Sequence, residues 1–340
     1  MSKQIIPEVA ILRPLALFLV MLGHCLAPFA GFWDKIPSEG GGQNIFLYWW
    51  FGQFVVKFHV ELFIFISGYI FAYQCIDLGR VSNFKDFLVS KIKRLYLPCL
   101  IFGVAYYFCF YNQGGFDLST FLLKVTSGCG HLWFLPVLFW CFVVGWFLNK
   151  SKVNHFIILG ILAFISILPI PFMPLGISTA LHYLFYFYLG YVGWIYRGVV
   201  LKHTKVGYIL SSLILYLLLV IFYQYIDSFV ANKYILFGIR ASVDFLMTIF
   251  GILFSYLLVC YYTSKPNFVL SQKVFYLSSV CYGIYVYHQF LLKYLYYYTS
   301  FPCLVGDILL PCLALVIVVL VSYVLTILSL RTRIGKFLIG

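Results

Sequence analysis

The chain alternates long apolar runs with short polar connections from one end to the other. Most runs approach the roughly 20 residues that a helix needs to cross the hydrocarbon core of a bilayer. Backbone groups in lipid must be hydrogen-bonded within the segment, so the pattern predicts an all-α, polytopic membrane protein, a bundle of about ten transmembrane helices. The predicted spans are 9–29, 45–74, 96–111, 132–148, 156–172, 181–196, 206–225, 235–262, 275–298 and 308–330.

The polar connections differ in the sign of their charge. Basic residues follow every second run, beginning with the cluster within 80–94, whereas the intervening connections hold mostly acidic residues such as Asp34 and Asp117. Because cytoplasmic loops of membrane proteins carry an excess of Lys and Arg, the basic connections are assigned to the cytoplasm. An even number of spans then places both termini in the cytoplasm, in agreement with the basic group at Arg331–Lys336.

Composition supports a membrane protein. Of the 340 residues, 64% are hydrophobic and 10% are charged, whereas soluble domains are about 25% charged. The formal net charge of +13 arises from the cytoplasmic connections and is explained by the topology in the membrane. The predicted partner is therefore the lipid bilayer, and no nucleic-acid partner is needed. No connection is long enough to fold independently, and residues 1–340 are predicted to form a single membrane domain.

Two polar residues inside the first predicted span give the strongest functional signal. Arg13 and His24 lie in an otherwise apolar run, where a charge and an imidazole are costly to bury. Eleven steps of about 100° return to nearly the same face of a helix and separate the side chains by roughly 16 Å. This arrangement suits a site where Arg13 holds an anionic group and His24 accepts a proton. The alternatives are that Arg13 reaches lipid headgroups and His24 bridges two helices.

Four more charged residues inside predicted spans occur as two i,i+4 pairs, Lys57 with Glu61 and Arg240 with Asp244. Residues four apart are neighbours on a helix, so each pair can neutralise itself. Charged groups inside a bundle also line hydrated cavities. Glu61 is therefore a candidate catalytic residue, and Arg240 a candidate for substrate binding.

Four short segments carry further polar or aromatic residues. In 58–69, Ser67 is a candidate substrate ligand, or with Gly68 a close helix contact. In 131–136, His131 and Trp133 are candidate ligands, although Trp133 also suits an interfacial belt. The segment 282–288 contributes Tyr285 and His288. A cluster of cations that suits either phosphates or the positive-inside signal precedes the third span: Lys91, Lys93 and Arg94.

Taken in this order, the motifs resemble acyltransferase family 3, the membrane O-acyltransferases of bacterial polysaccharide and sugar modification. The resemblance runs from Arg13 to about His288. The Arg13–His24 spacing is similar to the family's Arg-ten-residues-His signature. Residues 58–69 resemble its FHxPLFFFxSGY segment, with Glu61 in place of the proline. Residues 93–98, 131–136 and 282–288 resemble its basic start of helix three, its HLWFL motif and its YGIYxxH motif, in that order.

The resemblance implies transfer of an acyl group, usually acetyl, from cytoplasmic acetyl-CoA or another acyl-CoA. The acceptor is a hydroxyl of a cell-surface or lipid-linked sugar or polysaccharide, and the location is the bacterial inner membrane. His24 then acts as base or nucleophile, and no metal is expected. The residues expected to bind the donor are Lys91, Lys93, Arg94 and Arg13. Those expected to contact the acceptor are Ser67, His131, Trp133, Arg240, Tyr285 and His288.

A multi-pass transporter or flippase of glycan precursors is the alternative class. Buried charge pairs suit such a protein, but transporters commonly contain paired repeats with broken helices, and the sequence shows no internal repeat. A non-catalytic sensor of the same fold would be favoured by the loss of Arg13 or His24, and both are present.

Overall fold

The computed structural model describes residues 6–38, 45–81, 83–112, 115–230 and 232–340. Within these ranges all regular structure is helical, which confirms the predicted all-α class. The α-helices are α1 (Pro7–Leu26), α2 (Phe46–Val56), α3 (His59–Ile76), α4 (Phe84–Lys91), α5 (Leu97–Phe110), α6 (Leu118–Ser127), α7 (Phe134–Lys150), α8 (His155–Ile167), α9 (Ile177–Ile195), α10 (Arg197–His203), α11 (Val206–Tyr225), α12 (Lys233–Thr263), α13 (Gln272–Tyr297), α14 (Phe301–Val305), α15 (Leu310–Arg331) and α16 (Arg333–Ile339). A π-helical turn spans Ile92–Tyr96, and 3₁₀ turns span Gly130–Trp133 and Ile226–Ser228.

Six stretches of the described chain are long and apolar enough to cross a bilayer: α1, Phe46–Ile76, Gly130–Lys150, Val206–Ser228, α12 and α15. A seventh results if α9 and α10 form one span, although the two are bent by 72°. The predicted count of about ten is not confirmed. α5 and α8 have 14 and 13 residues, fewer than the roughly 20 that a span requires. α13 has 26 residues, but its tyrosines and serines lower its hydropathy.

Several helices begin where a short polar side chain accepts a hydrogen bond from the backbone of the first turn. Such caps satisfy amide groups that have no partner within the helix. They fix the start of each helix at a polar connection, which explains why the apolar runs and the helices largely coincide. The capping residues are Asn83 of α4, Asp117 of α6, Asn154 of α8, Asn232 of α12 and Thr332 of α16.

The chain forms two compact units. The first unit comprises residues 6–12 and 61–270, and the second unit comprises residues 13–60 and 271–340. In the first unit, α3 and α9 touch through their backbones, since a Cβ on Gly68 would lie 1.8 Å from the carbonyl oxygen of Phe187. Gly68 therefore makes the close helix contact that its sequence allows. That residues 1–340 act as one domain stays a prediction.

The second unit is held by contacts of α13. This helix packs along α15, where a Cβ on Gly283 would lie 2.4 Å from Cγ2 of Thr326. The hydroxyls of Tyr287 and Ser329 lie 2.7 Å apart. Nearer its C-terminal end, the hydroxyl of Tyr296 donates to the carbonyl oxygen of Cys25 in α1 at 2.9 Å. These contacts fix the register of α13 against α1, which decides where the histidines of the two helices meet.

Candidate active site

A pair of hydrogen-bonded histidines lies in the second unit. Nδ1 of His24 is 2.8 Å from Nε2 of His288. The two rings are parallel within 3°, with centroids 5.1 Å apart. His288 is fully buried, whereas His24 is half-buried. His24 is therefore the member of the pair that a substrate can reach.

The hydrogen bonds define which nitrogen of each ring carries a proton. Nδ1 of His288 lies 2.5 Å from the carbonyl oxygen of Tyr285, and a carbonyl can only accept. In neutral His288 the lone pair is then on Nε2, which accepts from Nδ1–H of His24. The lone pair of neutral His24 is consequently on its Nε2. The arrangement makes Nε2 of His24 the basic atom, with a second imidazole orienting it from behind.

Two further aromatic rings surround His24. The indole of Trp33 stacks on it, with centroids 5.5 Å apart and planes inclined by 29°. The ring of His59 approaches edge-on at 6.3 Å, and its Nδ1 lies 3.0 Å from the carbonyl oxygen of Val56. His59 belongs to the segment 58–69 that carries the family resemblance, but sequence reasoning gave it no role. Trp33 lies in a polar connection and offered no signal.

Arg13 lies on the same side of α1 as His24. Its guanidinium is close to the thiol of Cys281 in α13, the helix that also supplies His288. The side chains of Arg13 and His24 both meet α13, as their helical phase predicts. Arg13 precedes His24 on α1, and their respective neighbours Cys281 and His288 follow the same order on α13. The two helices therefore run in the same direction. Half-buried Arg13 places a positive charge on the face that carries the base.

Tyr285 contributes to this site through its backbone. Its carbonyl oxygen fixes the tautomer of His288, and its ring lies 5.7 Å from the His288 ring. The structure thus brings four of the predicted site residues together in the second unit: Arg13, His24, Tyr285 and His288. The other predicted site residues belong to the first unit: Glu61, Ser67, Lys91, Lys93, Arg94, His131, Trp133 and Arg240.

Three of the four predicted donor-binding cations lie in the first unit and have different environments. Lys93 and Arg94 are exposed and lie in the π-helical turn before α5, a distortion that is frequent at functional sites. Lys91 is half-buried, with Nζ 3.5 Å from the centroid of the Phe142 ring. Burial and the charge of Arg94 lower the pKa of Lys91 to about 7. Lys91 is therefore charged below about pH 7 and neutral above, while Lys93 and Arg94 present charge to solvent.

Two predicted polar residues have partners that the sequence did not indicate. Arg240 pairs with Asp227 through both Nε and Nη2, a partner outside α12 that its i,i+4 spacing to Asp244 did not indicate. Asp227 lies in the 3₁₀ turn Ile226–Ser228, which brings it to the guanidinium of Arg240. Ser67 donates its hydroxyl to the carbonyl oxygen of Phe63, 2.9 Å away on the same helix.

The remaining predicted residues lie among aromatic side chains of the first unit. His131 is buried, and its ring is 5.9 Å from that of Tyr106. Half-buried Trp133 packs against Tyr183, with ring centroids 5.5 Å apart. Glu61 lies beside the same tyrosine, within reach of its hydroxyl. Trp133 and Glu61 therefore share a neighbour that sequence reasoning did not single out.

No group of three or more His, Cys, Asp or Glu side chains suited to a metal ion occurs among the described residues. Proton transfer and anion binding are the chemistries that the second unit offers, through His24 and Arg13.

Comparison with known proteins gives a family. No curated protein and no solved structure matches the chain. The family model described as an acyltransferase domain, that of acyltransferase family 3, matches residues 6–327. The match covers both units and nearly the whole sequence, including the site around His24. The chain belongs to acyltransferase family 3.

Proposed function

We propose that this acyltransferase moves an acetyl group from cytoplasmic acetyl-CoA to a hydroxyl of a cell-surface or lipid-linked sugar or polysaccharide. The observation that carries the proposal is the His24–His288 pair, whose hydrogen bonds leave the lone pair of a half-buried imidazole on Nε2 of His24. Family membership supplies the reaction class. A base with this tautomer is what an alcohol needs in order to attack a thioester at neutral pH.

The reaction balances with His24 as the proton carrier. Nε2 of His24 takes the proton of the acceptor hydroxyl as its oxygen bonds to the thioester carbonyl carbon. The carbon–sulfur bond then breaks, the ester remains on the sugar, and the imidazolium returns the proton to the thiolate of coenzyme A. His288 stabilises the imidazolium by accepting from its Nδ1–H. Arg13 holds the donor near its thioester end.

The phosphates of coenzyme A are assigned to Lys93 and Arg94, which are exposed next to one another before α5. Replacing both by glutamine is expected to raise KM for acetyl-CoA about tenfold or more with a small change in kcat, since phosphate contacts are remote from the reacting atoms. The measurement is initial rate against donor concentration at low and high salt. Lys202→Gln plus Lys205→Gln, two other basic residues, is the control. An unchanged, salt-insensitive donor KM contradicts the assignment.

The proposal includes an orientation. About ten spans with both termini in the cytoplasm of a bacterial inner membrane put the Lys93–Arg94 pair on the side where acetyl-CoA is made, in keeping with the basic connections. His131 and Trp133 then lie towards the outer side. Glu61 is proposed to assist at the acceptor, and Ser67 and Arg240 are the weakest acceptor ligands because their side chains bond within the protein.

One experiment tests the reaction and the orientation together. Sealed inside-out and right-side-out vesicles containing the protein receive labelled acetyl-CoA, which does not cross membranes, and extracted glycans are analysed by mass spectrometry. Acetylated glycan is expected in inside-out vesicles alone, and only when the protein is present. If acetylated glycan forms in right-side-out vesicles alone, the orientation of the protein in the membrane is opposite to the one proposed. Glycan translocation without acetylation in either preparation supports the flippase alternative.

A further inference from the structure

The first unit contains a cavity of about 240 Å³ whose lining includes aromatic rings, hydroxyl groups and the apolar residues Val137 and Met173. The rings belong to Trp133, Phe172 and Tyr183, and the hydroxyls to Ser127, Ser178 and Thr179. A pyranose ring needs both kinds of contact. Its C–H face packs on an aromatic ring, and the hydroxyls on its edge require hydrogen-bond partners.

Between two lining residues, Met173 and Gly176, the backbone has an unusual conformation. Leu175 has φ of 63°, a left-handed backbone that a leucine rarely adopts. Two hydrogen bonds hold it there. Its N–H donates to the hydroxyl of Ser127 at 3.0 Å, and its carbonyl oxygen accepts from Nε1 of Trp140 at 3.0 Å. Strained residues held from both sides are typical of binding sites formed before the ligand arrives.

Two acidic side chains lie beside Tyr183, one of the residues that line the cavity. The hydroxyl of Tyr183 is within reach of Glu61, and Asp244 is close to the same tyrosine. Both acids are half-buried. Carboxylates accept hydrogen bonds from sugar hydroxyls, but they repel a second carboxylate. A uronic acid would bring a third carboxylate beside Glu61 and Asp244, so we expect these two acids to favour a neutral ring.

From this combination we propose that the cavity bounded by Trp133, Tyr183 and Thr179 binds one neutral pyranose ring of the acceptor, stacked on Trp133, with Glu61 excluding acidic sugars. The inference rests on the proposed sugar acceptor and adds the position and charge class of the ring that is recognised. Apolar chains such as lipid tails are the competing occupant, because the aromatic rings would also pack on them.

The test measures binding without catalysis. The full chain is placed in phospholipid nanodiscs, since maltoside or glucoside detergents would themselves compete. Saturation-transfer NMR then measures the saturation that the protein transfers to the protons of methyl β-D-glucopyranoside, of its glucuronic acid counterpart and of pentanol. We expect saturation of the ring protons of the neutral glycoside, with at least fivefold weaker binding in Trp133→Ala. Trp50→Ala, which alters a tryptophan of α2 in the second unit, is the matched control. Glu61→Gln should narrow the preference for the neutral glycoside over the glucuronide.

Several outcomes would overturn the proposal. They are absence of glycoside binding, equal binding by the Trp133→Ala and Trp50→Ala variants, and saturation of pentanol alone. If Trp133→Ala does not fold, Thr179→Phe fills the cavity from α9 and must produce the same loss. Failure here is distinguishable from failure of the proposed reaction. If the Trp133→Ala protein still transfers acetyl groups, the proposed binding site is contradicted and the proposed reaction is not. The His24→Ala protein should lose the reaction but still bind the glycoside.

Discussion

Replacing His24 by alanine is expected to reduce acetyl transfer about 10²–10⁴-fold while the protein still inserts into the membrane. His24 is half-buried and carries the basic Nε2 that its bond to His288 defines. The loss corresponds to about 3–5 kcal/mol of transition-state stabilisation. It should fall on kcat, because the side chain acts on the proton that moves in the reaction. The measurement is the rate of labelled acetyl transfer by purified protein in nanodiscs.

The matched control is His203→Ala, which removes an exposed imidazole from α10 of the first unit. This variant should retain the rate of the unaltered protein. A His24→Ala protein that transfers acetyl groups at more than a tenth of the normal rate would exclude His24 as the base. An acetylated His24 trapped in the absence of acceptor would assign it the nucleophile role instead.

The Arg13–His24 face could be predicted because helical phase is a local property of the sequence. Eleven residues of an uninterrupted helix fix the relative direction of two side chains whatever surrounds them. The same reasoning could not pair His24 with His288, which is 264 residues away. That contact depends on the register of α13 against α1. The motif containing His288 was visible, but its role as partner of the base was not.

The span count shows the limit of hydropathy. Apolar runs locate helices, yet the 72° bend between α9 and α10 and the π-helical turn at Ile92–Tyr96 are set by packing. Charge pairing has the same limit, as the Arg240–Asp227 pair illustrates. Trp33, which stacks on His24, and Tyr183, which faces Trp133, lie in segments without a distinctive pattern. Their positions follow only from the tertiary structure.

Replacing His288 by leucine is expected to lower kcat about 10²-fold and leave KM for acetyl-CoA within a factor of about two. Leucine keeps the apolar volume but cannot accept from Nδ1–H of His24. The tautomer of His24 is then no longer fixed, and the imidazolium formed during the reaction loses its partner. Because His288 is fully buried, no water takes its place without rearrangement.

Glutamine at the same position separates a positioning role from simple packing. Its amide oxygen can accept from His24 and its NH₂ group can donate to the carbonyl oxygen of Tyr285, reproducing both bonds of the imidazole. The His288→Gln protein should therefore be at least ten times as active as the His288→Leu protein, when equal amounts of folded protein are compared. If leucine and glutamine variants are equally impaired, or if the leucine variant is fully active, the hydrogen bond between the two histidines does not orient the base, and His24 must be directed by Trp33 and His59 instead.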